Sequence, residues 1–281
     1  MAESTSEELL GRIVAAFQSV RGVRAIVLGG SRGRGVHNTA SDYDVGLYCE
    51  GDLDIAGLET AARSIGGGRG GPADKPLMTP RGGWGAWVDG GGWLTIDDAP
   101  VDILYRDVAR VERVIAACHA GTFECAYHYG HPHAFVSTMY AGEIATCRAL
   151  HDPSGFVASA KSRLTPYPEA LRGALMSRFL DEARFFLAVA QKAADRADVS
   201  YVAGCAFRTV SCLLQAIFAC NREWLINEKG ALALAARFTL VPGDLAARVE
   251  AAFALSADPA TLRNALHGLS LLADDVAQIC A

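Results

Sequence analysis

The stretch Arg24-Ala25-Ile26-Val27-Leu28-Gly29-Gly30-Ser31-Arg32-Gly33-Arg34-Gly35, with Ser41-Asp42-Tyr43-Asp44-Val45-Gly46-Leu47 shortly after it, decides how the chain is read. Arg24 to Leu28 is a short apolar run that stops at glycines, the pattern of a strand running into a tight turn. Glycines let the main chain approach phosphate oxygens closely, and a helix start behind them aims free N–H groups at an anion. Ser31 adds a hydroxyl, and Arg32 and Arg34 offer charge-assisted donors to phosphate. Asp42 to Cys49 alternates and predicts a second strand. Residues two apart on a strand share a face. Asp42, Asp44 and Gly46 therefore point one way, while Tyr43, Val45 and Leu47 enter the core. Two carboxylates side by side repel each other unless a cation lies between them. Their hard oxygens suit magnesium, which shares its shell with substrate phosphates.

A third carboxylate, Asp102, lies in Val101-Asp102-Ile103-Leu104-Tyr105, between residues of strand character. If that strand runs beside the Asp42/Asp44 strand, the three acids form a cluster of the kind that holds two metal ions for in-line displacement at phosphorus. Each piece alone has a plainer reading. A Gly-Gly-Ser turn is usually only a turn, an Asp-x-Asp is usually a solvated strand edge, and Asp102 could simply pair with Arg106. The joint arrangement is what points to phosphoryl chemistry. Two rival motifs fail: the glycines are not in dinucleotide-loop order, and no Gly-Lys-Ser/Thr follows as a P-loop requires.

Gly30-Ser31 with Asp42-x-Asp44, and Asp102 as the third acid, resembles the motif of the DNA polymerase β-like nucleotidyltransferase superfamily. With a helical second half, the chain is most similar to the antibiotic nucleotidyltransferases that modify aminoglycosides and lincosamides. The resemblance is specific over residues 24–106 and architectural beyond Pro153. It implies a mixed five-stranded sheet flanked by helices and an acceptor bound in the cleft between two domains. It also implies that Asp42 and Asp44 bind metal, and that Asp102 binds metal or acts as base for an acceptor hydroxyl. The expected reaction moves a nucleoside monophosphate, AMP from ATP first, onto a hydroxyl of a small molecule and releases pyrophosphate. Two magnesium ions and an NTP would be the cofactor and co-substrate. The alternatives are an antitoxin-type enzyme that modifies a partner protein, and a non-catalytic relic that binds nucleotide or a partner. A long glycine-rich insertion before Asp102 departs from the compact family pattern.

The expected fold class is α+β: a mixed-sheet nucleotidyltransferase domain over residues 1–152, then an all-α bundle over 153–281. The first part shifts pattern often. Ser6 to Val20 reads as an amphipathic helix, Gly66 to Gly92 as a loop or loose hairpin, and Asp107 to Cys118 as a helix. Trp93 to Asp97 and Val101 to Tyr105 read as strands joined by an Asp98-Ala99-Pro100 turn. The second part fits helical periods over Pro168–Ala194, Val199–Asn221, Glu223–Phe238, Asp244–Leu255 and Asp258–Cys280. The helix over 199–221 is apolar nearly all round and predicts the centre of the bundle.

Composition narrows the partners. The formal charge of −5 counts against a broad nucleic-acid footprint, which needs a basic stripe. The N-terminus lacks a basic start with an apolar stretch behind it, and the apolar runs read as interrupted before bilayer length, so no signal peptide and no membrane span are expected. The 8 cysteines are scattered singly without a CxxC pair, which suits reduced thiols and a cytoplasmic location. Monomer and homodimer both stay open.

Weaker signals remain. Cys118, His119, Glu124, Cys125, His128, His131 and His133 crowd one stretch, but their spacing matches no common zinc site, and a half-buried hairpin is the plainer reading. Glu124 is a candidate acceptor contact. So is Arg208, which either pairs with a buried carboxylate or reaches the cleft. Lys229 could reach an NTP phosphate, or it could be an ordinary lysine at a helix end. Trp84, Trp87 and Trp93 could stack on a ligand ring, or could staple the glycine-rich segment to the sheet.

Overall fold

Leu9, Leu10, Ile13 and Phe17 recur at helical spacing and are all buried, on one side of helix α1 (Ala2–Phe17). The computed structural model that contains this helix describes the main chain of residues 2–4 and the whole of residues 5–35, 38, 41–70, 72 and 74–281. Gly71 and Ala73 of the glycine-rich stretch lie outside the described residues. The chain divides into two units, residues 1–116 with 140–166 and residues 117–139 with 167–281, in place of a single division near 152.

In the first unit, α1 leads to β1 (Val23–Leu28), the one-turn helix α2 (Gly30–Gly33), β2 (Tyr43–Cys49), α3 (Ile55–Ile65), β3 (Gly67–Gly68), β4 (Gly91–Ile96) and β5 (Ala99–Asp107). Helix α4 (Val108–His119) starts at Asp107, whose side chain accepts from the Arg110 N–H at 2.7 Å. Later in the chain come α5 (Met139–Thr146), β8 (Arg148–His151) and α6 (Phe156–Arg163). The sheet order is β3-β4-β5-β2-β1-β8. It is mixed: β2 and β5 are parallel, and every other pairing is antiparallel. Five strands of four residues or more carry it, with the two-residue β3 added at one edge.

Alternation decides what each face of the sheet meets. Val45, Leu47, Val101, Ile103 and Tyr105 bury one face in a core completed by α1 and by Leu58, Ala61 and Ala62 of α3. On the opposite face Tyr48 packs its ring 5.6 Å from Phe156, and Arg106 makes a two-pronged ion pair with Glu143 of α5, both contacts at 2.6 Å. The β4–β5 turn falls at Asp97-Asp98, one residue earlier than the sequence suggested. Both residues have positive φ, 49° and 63°, as a two-residue hairpin turn matched to strand twist requires, and aspartate tolerates that region.

The second unit contains the hairpin β6 (Cys125–His128) and β7 (His131–Val136), then α7 (Glu169–Asp195), α8 (Val199–Cys220), α9 (Ala231–Ala235), α10 (Leu245–Ala252) and α11 (Pro259–Cys280). Leu171, Leu175 and Phe179 of α7 and Leu262, Leu266, Leu269 and Leu272 of α11 are buried at the spacing of a single helix face. From Thr209 to Cys220 every residue of α8 is buried. That helix is long and apolar enough to cross a bilayer by length and composition, contrary to the expectation of interrupted runs. Its most apolar stretch is nevertheless 78% buried inside the protein, so its hydrophobicity is that of a bundle core. Helix Glu223–Phe238 does not form over its predicted length, and only α9 is helical there. Arg222 at φ 58° ends α8, Gly230 sits at φ 76°, and the Asn227 side chain accepts from the Lys229 N–H at 2.8 Å. This local bond offers the main chain an alternative to helix.

Candidate functional site

Strand β1 ends where the chain must turn without bulk. The Gly29 N–H donates to the Asp44 carbonyl at 2.7 Å, which ties the turn to the first residues of β2. Gly30 follows with φ +56°, and a Cβ there would lie 1.8 Å from Asp44 Oδ2. Only glycine allows both the conformation and the approach. The turn and the carboxylate are thus built against each other, and Ser31 lies half-buried in α2 beside them.

The third acid joins through sheet register. Asp44 and Asp102 are direct partners in the parallel β2–β5 pairing, and Trp93 of β4 is the partner of Asp102 on the other side. Directly paired residues share a face. Asp44, Asp102 and Trp93 therefore stand in one row across the sheet, and Asp42, two residues before Asp44, lies on the same side.

Arg69, immediately after β3, was not anticipated from the sequence. Its guanidinium donates to Asp102 Oδ1 through Nη2 and lies 3.5 Å from Asp42 Oδ2 through Nη1. Asp102 is the more enclosed partner, 22% exposed against 46% for Asp42. The alternative of an Asp102–Arg106 pair is excluded, since Arg106 is buried on Glu143. The signal for Arg69 in the sequence is an arginine with glycine on both sides, in Gly66-Gly67-Gly68-Arg69-Gly70. A long cationic side chain there stands on main chain that has no bulk of its own.

The other expected ligands of phosphate are differently employed. Arg32 donates to the Ser41 carbonyl at 2.9 Å and stacks 3.9 Å above the Tyr43 ring, so it braces the segment before β2. Arg34 is exposed and donates to the Gly30 carbonyl at 3.2 Å. Trp84 stacks on Trp93 at 4.6 Å, and Trp87 meets Tyr140 edge-on at 6.0 Å. These contacts fasten the glycine-rich segment to the first unit, and Trp93 still keeps 53% of its surface exposed.

Lys229, Glu124 and Arg208 belong to the second unit. Lys229 and Glu124 are exposed. Arg208 contacts the His133 carbonyl, lies 4.0 Å from the part-exposed Glu182 carboxylate and stacks 5.1 Å from Phe186, so its carboxylate neighbour is not the buried one that the pairing reading expected. Within the cysteine- and histidine-rich stretch, the hairpin reading describes β6 and β7. Among the described residues, no three His, Cys, Asp or Glu side chains are gathered as a metal site, in this stretch or around Asp42, Asp44 and Asp102. His131 instead bonds Glu228 at 3.1 Å, and the Glu228 carboxylate also accepts from the His133 N–H at 3.2 Å. His133 is buried with both ring nitrogens unpaired among the described residues. Burial, and then the nearby Arg208 charge, lower its pKa to about 4. The second unit also carries an open, largely apolar pocket of about 500 Å³, lined by Phe207, Val210, Leu214, Val249 and Phe253 with Glu228 and Glu250 among its walls.

Residues 135–229 match the model of a family described as a domain of unknown function, DUF4037. That stretch runs from β7 to the loop after α8 and contains none of Asp42, Asp44 and Asp102. No curated protein matches the chain.

Proposed function

We propose that the first unit is a nucleotidyltransferase domain that moves a nucleoside monophosphate, AMP from ATP in the first instance, onto a hydroxyl of a small molecule in the cytoplasm. The observation that carries this reading is the pairing of Asp44 with Asp102 beside Asp42, with Gly30 packed on the Asp44 carboxylate. The donor set fits a divalent cation in its chemistry. All the donors are carboxylate oxygens, and two of the three already share a cationic group, the Arg69 guanidinium. Asp42, Asp44 and Asp102 would hold magnesium, which when bound supplies charge neutralisation at the phosphates.

The remaining work falls to the chain. With the Gly29 N–H held by the Asp44 carbonyl, the Gly30 and Ser31 N–H groups and the Ser31 hydroxyl would be the donors offered to the triphosphate, with no Cβ at Gly30 in the way. Asp102 takes the proton of the acceptor hydroxyl. The freed oxygen forms a bond to the α-phosphorus, the bond from that phosphorus to the α–β bridging oxygen breaks, and pyrophosphate leaves. Positioning and charge complementarity supply most of the acceleration in such transfers.

Arg69 lends support to one second reading, a relic in which the guanidinium neutralises the acids permanently and the chain only binds a partner. Calorimetric titration of ATP with and without magnesium separates the two. Magnesium-dependent binding by the native chain, lost in Asp42→Asn/Asp44→Asn, supports the enzyme and justifies screening hydroxylated acceptors for pyrophosphate release. A well-folded chain that binds no NTP in either condition leaves the relic.

A further inference from the structure

We infer that Arg69 is an exchangeable resident cation, which occupies the carboxylate cluster until a divalent ion arrives with its nucleotide. The inference rests on the nucleotidyltransferase reading and adds to it a rule for when metal can enter. Asp44 and Asp102 are register partners on one face, with Asp42 two residues before Asp44 on the same side, an arrangement that like-charge repulsion opposes unless a cation is shared. Arg69 supplies that cation by reaching two of the three acids at once. A guanidinium fork suits this task because it presents several donors in one plane and never loses its charge.

Three features make the ion replaceable. The Arg69 side chain is one-third exposed, so its ion pairs are weakened by solvent. Its main chain is fastened lightly: β3 pairs only Gly67 and Gly68 with β4, and the Arg69 N–H donates to the Trp93 carbonyl at 2.9 Å. Gly70 follows at φ +73° with open space where a Cβ would be. The arginine therefore has glycine on both sides and, among the described residues, ion-pair partners that are themselves part exposed. A bare divalent ion must compete with the guanidinium for Asp42 and Asp102. An ion that carries a triphosphate does not meet the same opposition, because the phosphates give the displaced guanidinium a new anion to pair with. Divalent-ion binding is thereby made conditional on nucleotide.

The test is manganese binding by the full-length chain, followed by electron paramagnetic resonance with and without ATP. The native chain is expected to bind manganese weakly alone and tightly with ATP. Arg69→Gln should bind manganese alone about tenfold more tightly, with a smaller gain from ATP. Arg69→Lys, whose compact ammonium cannot span both acids, should fall between the two and guards against misfolding of the glutamine variant. If neither variant binds manganese more tightly than the native chain, the exchange is overturned. It is distinguished from failure of the parent reading by Asp42→Asn/Asp44→Asn. Loss of ATP-dependent manganese binding in that variant keeps the site while the exchange falls, and retention of it removes both.

Discussion

Asp44 and Asp102 are direct partners in the parallel pairing of β2 and β5, although 58 residues (102 − 44) separate them in the chain. Their neighbour across the β1–β2 turn is Gly30, and this contact makes the first prediction. Gly30→Ala adds a methyl where Asp44 Oδ2 stands, at a left-handed φ. Main-chain strain alone costs about 1–2 kcal/mol, and displacing the carboxylate should also abolish magnesium-dependent ATP binding. Gly51→Ala has a similar φ of +67° and nothing within 4 Å. It should lower the melting temperature by the strain alone and leave ATP binding intact, as parallel thermal melts and calorimetry would reveal.

Arg106 is the most buried arginine among the described ion pairs of the first unit, its side chain 5% exposed beside Glu143. Burial pulls the guanidinium pKa down, but the Glu143 carboxylate more than offsets that and holds it above its ordinary value. Glu143→Ala leaves a buried, unpaired cation and should destabilise the chain by about 3–5 kcal/mol. The double replacement Arg106→Met/Glu143→Leu should cost less than Glu143→Ala alone. Urea denaturation of the single and double variants reads the difference directly.

How much of this was legible in the sequence follows from how local each signal is. Asp42-Tyr43-Asp44 declared its strand and its outward face, because alternation is written in consecutive residues. The neighbourhood of Asp44 and Asp102 could be expected only conditionally, since strand order is a property of the whole sheet. Arg69 was missed because nothing near it in the chain says which carboxylate a long side chain will reach. The helix at Glu223–Phe238 failed for the opposite reason. Its apolar period was sound, but the left-handed Arg222 and Gly230 and the Asn227 side-chain bond to the Lys229 N–H, which the period does not encode, kept the helix to Ala231–Ala235.

His133 should impose a pH dependence on stability. Its folded pKa, about 4, lies below the ordinary histidine value, so the unfolded chain takes up a proton that the folded chain refuses. The stabilising contribution is complete above about pH 6.5 and is lost as pH falls towards 4. It amounts to at most about 3 kcal/mol. His133→Phe should flatten this part of the stability profile in denaturant titrations between pH 7 and 4. A profile as steep as that of the native chain would assign the slope to other groups.

The buried thiols should be inert in the native state. Burial pushes Cys49, Cys118 and Cys212 up to about 12, so their thiolate fraction near pH 8 is negligible. Iodoacetamide at pH 8 is expected to spare all three in the native chain and to label them once guanidinium chloride unfolds it. Mass spectrometry of the digested protein distinguishes the cases, and rapid native labelling of any of the three would contradict the burial.

The division of the chain has a consequence for how it can be dissected. The polypeptide leaves the first unit after residue 116, re-enters at 140 and leaves again after 166. The stretch that matches the family model, 135–229, begins in one unit, threads the other and returns. Neither unit is a continuous segment, so the chain cannot be parted into its two units at one place. A chain cut near residue 152 would strip Phe156, Val157 and Ala160 from the first unit while leaving the β6–β7 hairpin on the wrong fragment. Any single cut of the chain leaves at least one unit incomplete.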